Sequence, residues 1–519
     1  MMRLFFKFLL LAGTVALAAC EVGPDYKPPA VEAPPAYKES GDWQPADPKD
    51  AINRGAWWSV YNDPVLDGFE KQVDISNQNL KAAEAAYRQA RAVVEESRAQ
   101  LFPTATLNAS GTRTGGGSVK GGPVNAYNVS AGASWVPDLW GRIRRTIESN
   151  LASAQASAAD LASARLSAQA ALASDYFALR AQDDLKVLLD ITVAADQRAL
   201  KIVQNQYNAG IIAKGDVLTA QTQLESVQAQ AINVGLLRAQ LEHAIAVLMG
   251  KPPAEVTIAP APLAKEVPVP PVGVPSALLE RRPDIASAER QMAAANAQIG
   301  VVTAAWYPNL TLSASYGYAG PVIGSLIQAP NSLWSFGPAL AETIFDAGSR
   351  SSQIEAAKAN YDQAVATYRQ TVLTGFQQVE DQLASLRILE QQAAAEDKVV
   401  ADAHKAEELV LNQYKAGTVP YSSVITAQIT TLSNEQTALG VRSNRFAASV
   451  ALIEAVGGGW DTSQLTAENL PDNQPPAAGQ PAEQIAAPAG SAPLASNGEK
   501  PVREKSWPET WLDWFENLF

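Results

Sequence analysis

The sequence contains one unit written twice. Tyr207-Asn208-Ala209-Gly210 returns as Tyr414-Lys415-Ala416-Gly417, a displacement of 207 positions that also pairs Leu179-Arg180 with Leu386-Arg387, Val203 with Val410 and Gly250 with Gly457. Upstream the displacement is 205, pairing Asn79-Leu80 with Asp284-Ile285, Pro103 with Pro308 and Leu139-Trp140 with Ile344-Phe345. Residues 64–250 and 283–457 are therefore two copies of one architecture, joined by residues 251–282.

Each copy changes period along its length. After Asp63-Pro64, Val65, Phe69, Val73, Leu80, Ala83, Tyr87, Ala90 and Val94 recur at helical spacing, which predicts one helix ending before Pro103. Residues 104–114 and 125–137 then alternate. Tyr127, Val129, Ala131, Ala133 and Trp135 stand against Asn128, Ser130, Gly132 and Ser134, so one strand face is apolar and the other small and polar. The second copy predicts strands at 309–319 and 332–345, with Leu310, Leu312, Ala314, Tyr316 and Tyr318 on the apolar face. Strands of this length with aromatic ends suit a tilted crossing of a bilayer. Four of them cannot close a barrel, and an open edge in lipid leaves backbone groups unpaired at several kcal/mol each. The barrel must then be shared between protomers.

Long helices follow, at 141–206 and 349–413, interrupted by no proline and, past the first residue, by no glycine except Gly375. At 1.5 Å per residue they span roughly 90–100 Å. Ile354, Ala357, Tyr361, Val365, Tyr368, Val372, Phe376, Val379, Leu383 and Leu386 are spaced by threes and fours, a coiled-coil-like stripe. Gly210 and Gly417 stand where a left-handed cap belongs, and return helices are predicted at 216–249 and 421–456. The fold class is therefore an α+β membrane protein, internally duplicated, with two helical hairpins projecting from a middle belt.

The N-terminus reads as a signal peptide over residues 1–19, with Arg3 and Lys7 before an apolar run. Leu17-Ala18-Ala19-Cys20 looks like a bacterial lipobox, so Cys20 is the expected lipidation site and the covalent lipid the expected modification; no other cofactor or metal is expected. Inner-membrane retention goes with Asp at the next position; Glu21 stands there and points to the outer membrane. Residues 20–63 form an extended, lipidated tether, Pro-rich as far as Ala56. At the other end, 458–505 is Pro- and Ala-rich and predicted disordered. In 506–519, Trp507, Trp511, Trp514, Phe515 and Leu518 share a helical face, either docked on the protein's own belt or serving as an interfacial or partner-binding anchor.

A formal charge of −13 without long basic runs argues against nucleic acid as a partner. Enzymatic chemistry is not expected: His243 and His404 are the two histidines, and no nucleophile motif accompanies them. The carboxylate pairs Glu95-Glu96, Asp183-Asp184 and Glu407-Glu408 read as solvated faces. Arg142, Arg144 and Arg145 read as either lipid-phosphate contacts or a solvated helix start.

Together the lipobox, the duplicated helix-strand-strand-helix unit, Arg281-Arg282-Pro283-Asp284, Trp306-Tyr307-Pro308-Asn309-Leu310 and the two Tyr-x-Ala-Gly tips resemble the outer membrane factors of Gram-negative bacteria over residues 20–460. The lipoprotein branch typified by OprM and NodT is the nearer match and TolC a more distant one. The resemblance implies a homotrimer whose twelve strands form one outer-membrane barrel and whose helices form a periplasmic α-barrel. It implies a passive exit duct for drugs or other small molecules, working with a periplasmic adaptor and an inner-membrane pump of the RND type; the alternative is a conduit for type I protein secretion. By the same analogy Ala209, Gly210, Ile211, Ala416, Gly417 and Thr418 are adaptor-docking tips. TolC-like relatives carry an acidic ring at the gate; here the matching positions are Ser423 and Thr426, and the first copy keeps Asp216. The gate is thus expected to close by packing and hydroxyl hydrogen bonds, with weaker cation selectivity.

Overall fold

The computed structural model describes residues 21–29, 34, 36–40, 56–115, 122–268, 281–460 and 462. Cys20, residues 1–19 expected as a signal peptide, residues 463–505 of the expected Pro- and Ala-rich tail and the segment 506–519 lie outside the described residues. The first copy comprises α1 (Pro64–Ser76), α2 (Gln78–Ala99), β1 (Thr104–Thr114), β2 (Val124–Trp135), α3 (Arg142–Asn208) and α4 (Lys214–Leu248). The second comprises α5 (Pro283–Thr303), β3 (Asn309–Gly320), β4 (Ser332–Ala341), α6 (Ser349–Lys415) and α7 (Tyr421–Ala455).

The single helix expected between Pro64 and Pro103 is two helices. At Asn77 the backbone turns extended, and the Asn77 side chain accepts from the amides of Asn79 and Leu80, capping a new start. Residues 57–63 are not tether either. Trp57–Tyr61 forms a 3₁₀ turn with Trp57 and Trp58 buried, and Asp63 caps α1 through the amides of Val65 and Leu66. β2 ends at Trp135 because Pro137 and Asp138 lead the chain into the cap of α3, where Asp138 accepts from the Ile143 and Arg144 amides. β4 ends at Ala341, four residues short of the expected bound; Asp346 does the equivalent work for α6, accepting from the Arg350 amide.

The four strands form one antiparallel sheet in the order β1-β2-β3-β4. Its register places Leu107, Ala131, Tyr316 and Trp334 in one row and Ala105, Ala133, Ala314 and Phe336 in the next. The opposite face carries Thr106, Gly132, Ser315 and Ser335. Both faces are largely exposed in the single chain, as are the backbone edges of β1 and β4.

The long helices organise everything below the sheet. α3 packs against α2 and α5 on the strand side and against α4 and α7 on the hairpin side, while α6 meets α5 and α7. The return helices end where the strand-side helices begin. Gly250 (φ 68°) closes α4, and a Cβ there would stand 2.1 Å from the Ser76 carbonyl oxygen; Gly457 (φ 95°) closes α7 with the same 2.1 Å approach to the Arg281 oxygen. Asn77 Nδ2 donates to the Leu248 carbonyl (2.8 Å), and Arg282 Nη1 donates to the Ala455 carbonyl (2.9 Å). Asn77 and Arg282 are equivalent positions of the two copies, as are Leu248 and Ala455. Two different side chains thus satisfy the same orphan helix-end carbonyl.

The largest core sits at this middle level, where Phe177 stacks on Phe446 (4.6 Å) with Tyr61 tilted against both, beside Trp57 and Leu66. The pair Asp183-Asp184 is not a solvated face. Asp183 is buried, accepts from Arg180 and Arg238 and from the Ala261 amide, while Asp184 accepts from the Leu263 amide (3.3 Å). These carboxylates strap the linker 256–268 to α3, because an extended segment has backbone donors and no ladder partner to take them. Arg145 is likewise buried and holds the tether: it pairs with Glu21, Asp25 and Glu148 and donates to the Val22 carbonyl.

The two kinds of cap glycine respond differently to a methyl group. Gly210 has open space around its would-be Cβ, so Gly210→Ala meets only the left-handed backbone cost of about 1 kcal/mol. Gly457→Ala must also push the α7–α5 joint apart, and a loss of at least about 3 kcal/mol is expected. Thermal unfolding of the two variants, followed by circular dichroism, measures the difference.

Candidate functional site

Both hairpins end in the same hydrogen-bonded turn. The Ile211 amide donates to the Gln206 carbonyl and the Gly210 amide to the Tyr207 carbonyl (both 2.9 Å); Thr418 to Gln413 (3.0 Å) and Gly417 to Tyr414 (2.9 Å) repeat the pattern. This is a Schellman closure, which requires a left-handed residue, and Gly210 and Gly417 both have φ 74°. Ala209, Gly210, Ile211, Ala416, Gly417 and Thr418 are all exposed, Ile211 at 70 %, and no atom approaches either glycine's would-be Cβ within 4 Å. The tips therefore present bare backbone and one aliphatic side chain.

Behind the tips the two hairpins are clamped together. Val203, Ala220, Tyr421, Val424 and Ile425 form a buried cluster with contributions from α3, α4 and α7. Tyr414 of α6 lays its ring 5.3 Å from that of Tyr421 and donates to Gln206 Oε1 (2.7 Å). Its first-copy counterpart, Tyr207, is 41 % exposed instead. Duplicated tyrosines thus serve different purposes, one closing the seam and one facing outward.

Asp216 and Ser423 are equivalent positions in the first turns of α4 and α7, and both are half-buried. Asp216 sits favourably against the helix N-terminus. Burial, with a smaller contribution from the Asp216 charge, raises the Tyr414 phenol above its ordinary pKa. Thr426 is exposed and its hydroxyl donates to the Ser422 carbonyl of its own helix (3.0 Å), leaving only its lone pairs for another partner.

One carboxylate of this region escaped the sequence reading. Asp196 on α3 is 4 % exposed and its Oδ2 has no hydrogen-bond partner among the described residues. It faces Gln223 of α4, whose amide favours the charged carboxylate, and Glu407 of α6. Burial, with the Glu407 charge adding to it, pushes its pKa up to about 6. Tyr421 of α7 is in turn pushed up to about 12 by burial and by the charge of Asp196. The signal was present: Leu189, Val193, Asp196, Leu200 and Val203 are spaced by fours and threes, so a carboxylate occupies the inward stripe. Half-buried Glu407 is accordingly not a purely solvated residue, and His404, three positions before it, pairs with Glu435 (3.0 Å).

The family model described as outer membrane efflux protein matches residues 71–251 and 274–458, taking in both copies. The chain belongs to the outer membrane efflux protein family. Among curated relatives, the toluene efflux pump outer membrane protein TtgC of Pseudomonas putida is 29% identical over 462 residues, covering 86% of this chain and 93% of that one. The pyoverdine export outer membrane protein OpmQ of Pseudomonas aeruginosa is 29% identical over 469 residues, 88% and 97% of the two chains. The solved outer-membrane channel OprN superposes with a TM-score of 0.79 at 29% identity, over 85% of this chain and all of that one. This outer membrane efflux protein is a channel of the Gram-negative outer membrane. Among the described residues no helix is long and apolar enough to cross a membrane.

The Asp196 cluster makes the hairpin ends sensitive to pH. A carboxyl whose pKa is raised by folding stabilises the fold below its unfolded pKa, near 4, and that contribution is lost as pH rises through about 6. Hydrogen exchange of the tip amides 207–214 and 414–421 is therefore expected to quicken as pH rises from 5 to 7, after correction for intrinsic exchange. Asp196→Asn should flatten that dependence.

Proposed function

We propose that the chain is the exit duct of a tripartite efflux system that passively conducts small molecules across periplasm and outer membrane. Three copies close a barrel of three times four strands, each β4 edge pairing with the β1 edge of the next copy. The lipid on Cys20 anchors the tether, which Arg145 holds beside the base of the strands. The tips at Ala209–Ile211 and Ala416–Thr418 receive a periplasmic adaptor linked to an inner-membrane pump of the RND type, and Asp216, Ser423 and Thr426 line the closed end of the tunnel.

The observation that carries this reading is the pairing of an open four-stranded sheet with hairpins that end in exposed backbone. An unpaired sheet edge calls for further copies, and a helical end with exposed glycine backbone and no bulky charge allows close approach by another helix. The names of the relatives, toluene and pyoverdine among them, favour small molecules over proteins as cargo.

In-cell photocrosslinking from Thr418 tests the docking role. Capture of the adaptor of a proton-driven small-molecule pump is the expected result; capture of the adaptor of an ATP-driven protein exporter would transfer the duct to secretion, and capture of neither would reduce Gly417 to a helix cap. The gate is tested separately in planar bilayers. Ser423→Asp is expected to raise cation preference by restoring charge at the closed end, and an unchanged reversal potential would remove Ser423 from the conduction path.

A further inference from the structure

The charges of the membrane-crossing part are distributed unlike those of the rest of the chain. The protein as a whole carries −13, yet residues 104–135 and 309–341 contain no Asp or Glu, and their charged residues are Arg113 and Lys120. Lys120 lies outside the described residues. Arg113 is the sole charged residue within the four strands themselves.

Arg113 is on the apolar face. Strand alternation puts it on the side of Ala105, Leu107 and Ala109, and the register sets it opposite Asn125, one row beyond Gly111 and Tyr127. A charge on the lipid side of a barrel is costly at mid-depth and nearly free at the interface. Its depth follows from the rows. Counting from the Trp135 row near the helical end, Arg113 lies about ten residues further along the sheet, roughly 34 Å of strand. At the usual tilt this is a height of about 24–28 Å, the thickness of the apolar band of an outer-membrane barrel. Tyr127 lies one same-face row below it and Tyr318 two, and these form the far aromatic belt; Tyr316 and Trp334 follow in the third row, deeper in the sheet. Arg113 therefore stands just past that belt, on the side away from the helices, at headgroup level.

No carboxylate waits for it there. Arg113 has no ion pair or side-chain hydrogen bond among the described residues, and β4, the edge a further copy would bring alongside β1, has no acidic residue. We infer that Arg113, with Asn125 beside it, binds a phosphate of the phosphorylated glycolipid that forms the outer leaflet of the Gram-negative outer membrane. The planar guanidinium donates two parallel hydrogen bonds to phosphate oxygens, the Asn125 amide offers a further donor, and the tyrosine belt receives the upper acyl chains. This inference rests on the barrel reading and adds a ligand to it.

Native mass spectrometry of the full chain, purified in zwitterionic detergent and mixed with lipid A, tests the site. Wild type is expected to retain diphosphorylated lipid A about tenfold better than lipid A stripped of phosphate, the difference expected of one charge-assisted pair. Arg113→Gln should erase that preference and Arg113→Lys should keep most of it. Equal retention of the two lipids by wild type would overturn the inference without recourse to any variant. So would an Arg113→Gln protein that keeps the preference, or displacement of lipid A by inorganic phosphate at equal concentration, which would mark a free-phosphate site. Failure of the barrel reading has a different signature, the loss of heat-modifiable migration on gels by wild type itself.

Discussion

Backbone groups cannot be left unpaired in hydrocarbon, and the rest of this molecule follows from that. A four-stranded sheet with two open edges is not a stable object in a bilayer, since each unpaired N–H or C=O costs several kcal/mol. The strands therefore belong to a closed barrel larger than one chain can make. Their residues suit that setting: the lipid-side rows hold Leu107, Tyr316, Trp334 and Phe336, and the lumen-side rows are mostly Thr, Ser, Asn, Gly and Ala, with Leu333 and Val124 the larger apolar residues among them. Exposure of both faces in a single chain is the expected appearance of one segment of such a wall.

Beneath the sheet the same accounting of backbone groups recurs at helix ends. Each return helix stops against a strand-side helix, and the joint is sealed because glycine permits the contact and a side chain from the next helix takes the orphan carbonyl. The consequence is mechanical. Beside the unbroken α3 and α6 run two lines of helices, α4 with α2 and α7 with α5, each interrupted at the level of the aromatic core. The hairpins are thus anchored firmly at one end, while their tips are joined mainly by the small cluster around Tyr421.

Duplication supplies two equivalent sets of positions, and the structure shows them diverging. Asn77 and Arg282 reach the same carbonyl by different chemistry. Tyr207 and Tyr414 part company, one exposed and one closing the hairpin seam through Gln206. Asp216 meets its counterpart as Ser423. Asp196, whose counterpart is Ala403, places a carboxyl on a stripe of otherwise apolar residues and brings it toward Glu407. Identity of backbone with difference of side chain lets one hairpin be held while the other contributes the polar groups of the seam.

Periodicity, the displacement of the repeats and the two Tyr-x-Ala-Gly turns were enough to read the duplicated unit, the strand faces, the long helices and the exposed tips, because these follow from interactions among neighbours in sequence. Tertiary contact decided the rest. The break at Asn77 depends on a carbonyl 171 positions away, and the burial of Asp183 and Arg145 depends on extended segments that only the folded chain brings to them. Asp196 could be placed on a stripe by counting, but its partners belong to three other helices. A local pattern fixes which way a side chain points along its own element. What it meets there is settled by packing between elements, and that is where charge, burial and pKa acquire their values.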